Sequence, residues 1–259
     1  MLCASLMVSL IFWWFQGESL YQWGWRIAFL FAAFSGFIGF YIRAKTMETS
    51  DFQSLHEQCA VEQYPLKLIV ASHKLLMIQL IGLYLFSALV TYLAFIFMPI
   101  YLTDILNYSR TQAHTINTVM LLLLIVMDIF FGTLSDKIGR KGLMFTSAIS
   151  LSVLAYPLYY LLLLGSNTGL AGAFQGPLLA LTIDLVPVSV RYTLGSLSYN
   201  LAYSFFGGTA PILALSLINK TGNKAIPGAY LAFGAMIATF SLFKLTVKKV
   251  RKVSLSTML

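Results

Sequence analysis

Residues 116–141 read INTVMLLLLIVMDIFFGTLSDKIGRK, from Ile116 to Lys141. An apolar run opens the stretch, and a basic turn containing Gly132 and Gly139 closes it. A helix rises ~1.5 Å per residue and the hydrocarbon core of a bilayer is ~30 Å thick, so about 20 apolar residues cross it. Ile116–Leu134 meets that length with a single charged residue, Asp128, inside it. Backbone polar groups in lipid must be paired within the segment, so the run is a helix. The strands of a membrane barrel would instead show short alternating runs.

The pattern recurs along the chain. Eight apolar segments are present: Met1–Phe15, Ile27–Ile42, Leu75–Leu102, Ile116–Leu134, Gly142–Gly165, Gly169–Val186, Tyr192–Ile218 and Ala225–Phe243. Trp23 and Trp25 extend the second as an interfacial belt. The composition agrees, with 59% hydrophobic and 10% charged residues over 259 positions. A soluble domain carries ~25% charged residues, so one or two ordinary globular domains are excluded. Disorder is excluded because it needs few apolar residues and much charge. The fold class is all-α, a polytopic membrane bundle of about eight transmembrane helices. Cys3 in an apolar run and Cys59 in a polar one predict no disulfide framework, and no zinc-ligand spacing exists.

Orientation follows from the lysines and arginines, which favour the cytoplasmic side. Of the 17, thirteen fall in the 43–74, 135–141 and 187–191 connections and the C-terminal tail, and four fall in the alternate connections. Both termini are therefore cytoplasmic. The same placement accounts for the net charge of +8 without a nucleic-acid partner. Arg43–Lys74 is the longest connection and divides two segments from six, which marks a boundary between membrane bundles. Met1–Phe15 is short and lacks the basic flank of a secretory signal peptide. It reads either as an uncleaved first helix or as a helix whose natural beginning is missing.

The turn Gly132-Thr133-Leu134-Ser135-Asp136-Lys137-Ile138-Gly139-Arg140-Lys141 joins two of these helices. Gly132 permits close helix approach, and Gly139 permits a turn other residues resist. Read on charge alone, it could be a solvated orienting loop. Its spacing, G-x-x-S-D-x-x-G-R, resembles the signature loop of the major facilitator superfamily. Further stretches resemble the metabolite–proton symporter branch, which includes proline/betaine transporters. They are Trp23-Gly24-Trp25-Arg26, Glu48-Thr49-Ser50-Asp51-Phe52, and Met98-Pro99-Ile100-Tyr101-Leu102. A long run continues from Gly176-Pro177 through Arg191-Tyr192-Thr193 and Tyr199-Asn200 to Gly207-Gly208-Thr209-Ala210-Pro211.

The resemblance implies two six-helix halves joined by a long cytoplasmic loop, with this chain matching helices five to twelve. Residues 1–43 are then the remnant of an N-terminal bundle, 44–74 the interbundle loop, 75–243 the six-helix transport bundle and 244–259 a basic cytoplasmic tail. It also implies a bacterial inner-membrane carrier taking up a small zwitterionic osmolyte, proline or betaine, with protons by alternating access. No enzyme chemistry and no bound cofactor are expected, since the proton gradient supplies the energy. Two alternatives stay open: a non-transporting fragment that needs a separate chain for its first four helices, and a sugar or dicarboxylate carrier. The sequence contains no nucleotide-binding loop, which argues against ATP-driven transport by this chain.

Four groups of residues are candidates for the site. Asp136 and Arg140 of the turn, with Asp184 and Arg191 around Pro187, bring opposite charges to helix ends on one side and can latch a cytoplasmic gate. Asp128 lies about two turns inside its helix, where a carboxylate serves a proton or cation site or else reaches the headgroups. Tyr92, Phe95 and Met98 recur every three residues and share a face that could bind a quaternary ammonium through its rings. Asn200 and Tyr203 share a face with Gly207, and Gln175 is a further uncharged polar group; these are cavity candidates. Pro99, Gly207, Gly208 and Pro211 are expected to loosen their helices, as interrupted helices do around transport sites.

Overall fold

The computed structural model describes residues 2–15, 18–46, 50–57, 64–160 and 167–245. Ten helices run through them: α1 (Leu2–Trp14), α2 (Trp25–Lys45), α3 (Ser50–Glu57), α4 (Pro65–Ser72), α5 (Lys74–Ile105), α6 (Arg110–Ile138), α7 (Arg140–Tyr160), α8 (Asn167–Leu185), α9 (Val188–Thr221) and α10 (Ile226–Lys244). No strand occurs among the described residues. Over its described residues, each of the eight apolar segments coincides with a helix. Among the described residues, five helical stretches are long and apolar enough to cross a membrane: Gln22–Lys45, Lys74–Ile105, Arg110–Ile138, Val188–Thr221 and Ile226–Lys244. Helix α1 is short, and α7 is diluted by Arg140, Lys141 and several hydroxyl residues, though its 21 residues match a bilayer in length.

The connection between the two apolar groups is not a plain loop. Helix α2 continues to Lys45, and α3 and α4 lie within the connection. Glu48, Cys59, Glu62 and the tail from Thr246 onward, with Lys248, Lys249, Arg251 and Lys252, lie outside the described residues.

Local chemistry sets the helix ends. Ser109 Oγ accepts from the Gln112 amide at 3.3 Å while Gln112 Oε1 accepts from the Ser109 amide at 3.1 Å, a reciprocal cap that starts α6. Gly139, with φ +100°, stops α6 and lets α7 begin one residue later. Around Pro99 and before Gly208 the helices widen rather than break. Turns with one extra residue span Tyr92–Ile96, Tyr101–Ile105 and Tyr203–Gly207, and α5 and α9 continue through them. Such bulges offset the hydrogen bond a proline cannot donate.

Helix α5 is the centre of the bundle. Its apolar window is 83% buried, and Leu80, Leu83, Phe86, Leu89 and Leu93 are fully enclosed. It packs against α10 and α9, while α10 also lies along α7, and α8 fills the space between α6 and α7. Phe86 meets Phe174 of α8 edge to face at 4.6 Å. Helix α1 attaches to α6, where Ser5 Oγ lies 2.7 Å from Thr118 Oγ1. In α2, by contrast, the corresponding window is 0% buried. In a membrane its phenylalanines, Phe29, Phe34, Phe37 and Phe40 among them, face acyl chains or another protein surface.

Candidate functional site

A cavity of about 480 Å³ opens between α5, α8 and α9. Its wall is a series of tyrosines. Tyr199 stacks on Tyr203 at 4.1 Å, Tyr84 meets Tyr199 edge to face at 5.5 Å, and Tyr92 lies 6.4 Å from Tyr203. The hydroxyls are tied down. Tyr84 donates to Thr182 Oγ1 at 3.0 Å, and the Tyr203 hydroxyl lies 2.9 Å from Ser87 Oγ and 3.4 Å from Thr91 Oγ1. These bonds anchor the Tyr84 and Tyr203 rings in the wall. Gln175, Asn200 and Ser196 add uncharged polar groups, and Arg191 stands on the same cavity.

Of the residues proposed from sequence, Gln175, Asn200 and Tyr203 come together on this cavity. Asn200 donates Nδ2 to the Ser196 carbonyl at 2.8 Å, and Gln175 Nε2 is buried without a partner. Tyr92 stands behind the wall against Gly207: a methyl group added to Gly207 would lie 2.7 Å from two carbons of the Tyr92 ring. Gly207 thus accommodates an aromatic ring from α5. Phe95 and Met98, like Tyr92, do not line the cavity, and they do not share one face with that ring. The wide turn Tyr92–Ile96 and Pro99 break the three-residue periodicity that would have aligned them. Met98 is buried in the core, while Phe95 and Pro99 line a separate apolar recess of about 390 Å³ against α1, with Asn117 and His114. Gly208 and Pro211 sit in α9 beyond the wide turn.

The charges around Gly139 form a compact group. Arg140 binds Asp136 through Nε at 3.1 Å and through its terminal nitrogen at 2.8 Å, and it also pairs with Asp184 of α8. One guanidinium therefore joins three helices, since Asp136 closes α6, Arg140 opens α7 and Asp184 ends α8. Side-chain exposure of 30% for Arg140 and 31% for Asp184 makes this pair partly shielded, while Asp136 at 59% is solvated. Desolvation pulls the Arg140 pKa down, but bonds from Asp136 and Asp184 outweigh it and raise it, so the cation is permanent. Arg191 is arranged differently: its Nε donates to the Val186 carbonyl at 3.2 Å, and it stands on the wall of the cavity. Lys141 donates to the Leu245 carbonyl and ties the turn to the end of α10.

Asp128 lies on the packed stripe of α6 with Asn117, Leu121, Leu124 and Ser135, which are buried. Ile125, Val126, Ile129 and Phe130 form the exposed face. Oδ1 of Asp128 is buried and has no partner. Here α6 and α8 approach backbone to backbone, because a methyl group on Gly176 would lie 2.7 Å from the Asp128 carbonyl oxygen and 3.2 Å from the Gly132 amide nitrogen.

Tyr84, Ser87 and Thr182 were not singled out from sequence, and Tyr199 only within a family resemblance, although all four line the cavity. A signal existed. Tyr84, Ser87 and Thr91 recur at helical spacing on α5, as do Tyr192, Ser196, Tyr199 and Tyr203 on α9.

The model of the Major Facilitator Superfamily matches residues 80–257. A putative proline/betaine transporter of Staphylococcus aureus (strain COL) is 27% identical over 262 residues, covering 92% of this chain and 54% of the relative. The ectoine/proline transporter ProP of Corynebacterium glutamicum is 28% identical, covering 90% of this chain and 50% of its own. The citrate-proton symporter of Klebsiella pneumoniae is 27% identical, covering 88% and 54%. The chain spans about half the length of the curated relatives it matches. No solved structure matches it significantly.

Proposed function

We propose that this chain, which belongs to the Major Facilitator Superfamily, acts in the proton-coupled uptake of a small zwitterionic osmolyte, proline or betaine. It acts by alternating access, carries out no chemistry on its solute and uses no bound cofactor. The observation that carries the reading is the chemistry of the cavity between α5, α8 and α9. The faces of Tyr84, Tyr199 and Tyr203 suit an ammonium or quaternary ammonium group, with ~0.5–2 kcal/mol per ring from cation–π attraction. Arg191, Asn200 and Gln175 suit a carboxylate. Both halves of a zwitterion therefore find partners on one cavity. A strong cation bound alone would meet Arg191. The names of the Staphylococcus and Corynebacterium relatives are consistent with this solute class.

Arg140, held by Asp136 and Asp184, acts as the inner latch together with Arg191, and it opens as the bundle rocks. The turn containing it lies on the cytoplasmic face of a bacterial inner membrane, with both termini on that side. The relatives are about twice as long, and a carrier cavity lies between two halves. The bilayer and the solute are its expected partners.

A second reading rests on Arg191. Arg191 is part of the cavity wall, and one relative is named a citrate-proton symporter. An anionic solute is the alternative. Vesicles containing this chain, with an acidic exterior and labelled solute outside, separate the readings. Gradient-dependent accumulation of betaine or proline, uncompeted by citrate, is the expected result. Accumulation of citrate instead supports the second reading. No accumulation of either solute would refute transport by this chain alone and leave a fragment that needs its partner.

A further inference from the structure

We propose that Tyr199 is a displaceable cover on the face of Tyr203, that the open space beside Gly195 receives its ring, and that these two residues make the cavity selective for a methylated ammonium. The proposal rests on the transport reading above and deepens it, because it assigns the selectivity of the same cavity. Tyr203 is flanked on two sides. Tyr199 stacks on it at 4.1 Å with 23° between the planes, and Tyr92 approaches at 6.4 Å and 63°. Carbon atoms ~3.5–4.0 Å apart are already in contact, so nothing enters the stack. A cation meets that face of Tyr203 only where the Tyr199 ring now stands. The centre of that place is 4.1 Å from the Tyr203 centroid, inside the ~6 Å reach of cation–π attraction, and Tyr84 stands 5.5 Å away as its side wall.

The three rings are not equally fixed. The Tyr84 hydroxyl is bonded to Thr182, and the Tyr203 hydroxyl lies against Ser87 and Thr91. Among the described residues no hydrogen bond holds the Tyr199 hydroxyl. Tyr199 is also 42% exposed, against 6% for Tyr84. Displacing it breaks ring contacts and no hydrogen bond.

The space to receive the ring is one turn back. Long side chains in a helix lean toward its N-terminus, over the residues three and four positions earlier. For Tyr199 these are Ser196 and Gly195, both small and both on the cavity. A methyl group added to Gly195 would meet nothing within 4 Å. Glycine inside a helix is unfavourable, and neither a close neighbour nor a positive φ calls for one here. Room for the Tyr199 ring is the use it has. An aromatic side chain in a helix has two open χ1 wells, so the ring moves by a rotamer change with the backbone in place.

Selectivity follows from the donors of the solute. A methylated ammonium has no N–H to donate and is held through ring faces. The ammonium of proline carries N–H donors, and the oxygens of Ser87, Ser196 and Asn200 on the wall can accept from it while the stack stays closed. Blocking the movement of Tyr199 therefore costs a methylated solute more than proline.

The test uses the full chain in lipid nanodiscs and equilibrium binding of labelled betaine and proline. Gly195→Leu, which fills the space, should weaken betaine binding by about tenfold and proline binding by less than about threefold. With Tyr199→Ala already in place there is no ring to receive, and Gly195→Leu should then change neither. Equal losses for the two solutes, or the same loss of betaine in the Tyr199→Ala background, overturn the proposal. Fluorine magnetic resonance of 3-fluorotyrosine at position 199 reads the ring itself in a chain that is otherwise wild type. Its signal should move saturably as betaine binds; bound betaine with an unmoved signal also overturns the proposal. A wild type that binds neither betaine nor proline refutes the solute reading instead. Trimethylamine N-oxide, a methylated nitrogen without a carboxylate, is then the titrant: a signal that moves saturably upholds the displaceable ring, and one that stays fixed overturns it.

Discussion

Gly176→Ala is the sharpest test of how α6 and α8 are joined. The added methyl carbon would stand 2.7 Å from the Asp128 carbonyl oxygen and 3.2 Å from the Gly132 nitrogen. An ordinary carbon–oxygen contact is ~3.3 Å or more, so the helices must separate by roughly half an ångström. Both obstructing atoms are backbone and cannot rotate aside. Overpacking of this kind costs ~1–3 kcal/mol, and rigid neighbours put it near the upper end. Alanine returns ~0.5–1 kcal/mol of helix propensity. The net loss is about 2 kcal/mol, which for a chain of this size lowers the melting temperature by roughly 4–8 °C. Gly132→Ala is the internal control. It lies at the same crossing, but its nearest atom, the Gly176 carbonyl oxygen, is 3.9 Å away, so no loss is expected. Gly195→Ala, with nothing within 4 Å, should behave likewise. Thermal unfolding in detergent, followed by tyrosine and tryptophan fluorescence, measures all three. If Gly176→Ala melts with the wild type, or Gly132→Ala falls as far, the reasoning about this crossing is wrong.

Other expectations follow from single contacts. Arg140→Gln removes both bonds to carboxylates, and because these pairs are partly exposed the loss should be ~1 kcal/mol and should shrink in high salt. Melting curves in low and high sodium chloride measure it. Tyr203→Phe keeps the 4.1 Å stack on Tyr199 but loses Ser87 and Thr91, so equilibrium binding of labelled betaine should weaken by about fivefold, one hydrogen bond's worth. Tyr203→Leu, which also removes the ring, should weaken it further. Ser109→Ala removes half of the reciprocal cap on α6 and should cost ~1 kcal/mol, visible as faster amide exchange in the first turn of that helix. With the native cysteines replaced, Lys141→Cys should resist an impermeant maleimide applied outside intact cells, whereas Lys220→Cys should react; the reverse result would invert the proposed orientation.

Much of the fold was legible because lipid makes composition decisive. A run such as Ile116–Leu134 must be a helix wherever it sits in the bundle, and Gly139 had to end it because its φ of +100° suits glycine. The opposing charges of Asp136, Arg140 and Asp184 were also readable, since they fall at helix ends on one side. The cavity was only half readable. Gln175, Asn200 and Tyr203 were found as polar groups in apolar runs, but Tyr84 and Tyr199 looked like two more aromatics among many. Phe95 and Met98 were misaligned with Tyr92 because a wide turn shifts the register by one residue, and no periodicity argument that assumes a regular helix can see that.

Sequence alone determined that the chain is helical, that its segments suit a bilayer, and that a glycine-bounded charged turn joins α6 to α7. These depend on the solvent and on neighbours along the chain. Tertiary structure decided which helix is central, that Arg140 reaches Asp184 on another helix, that Tyr92 fills the space beside Gly207, and that Asp128 faces packed protein rather than the exposed side of α6. Those outcomes depend on the rotation and crossing of whole helices, which side-chain volumes set only after the helices meet.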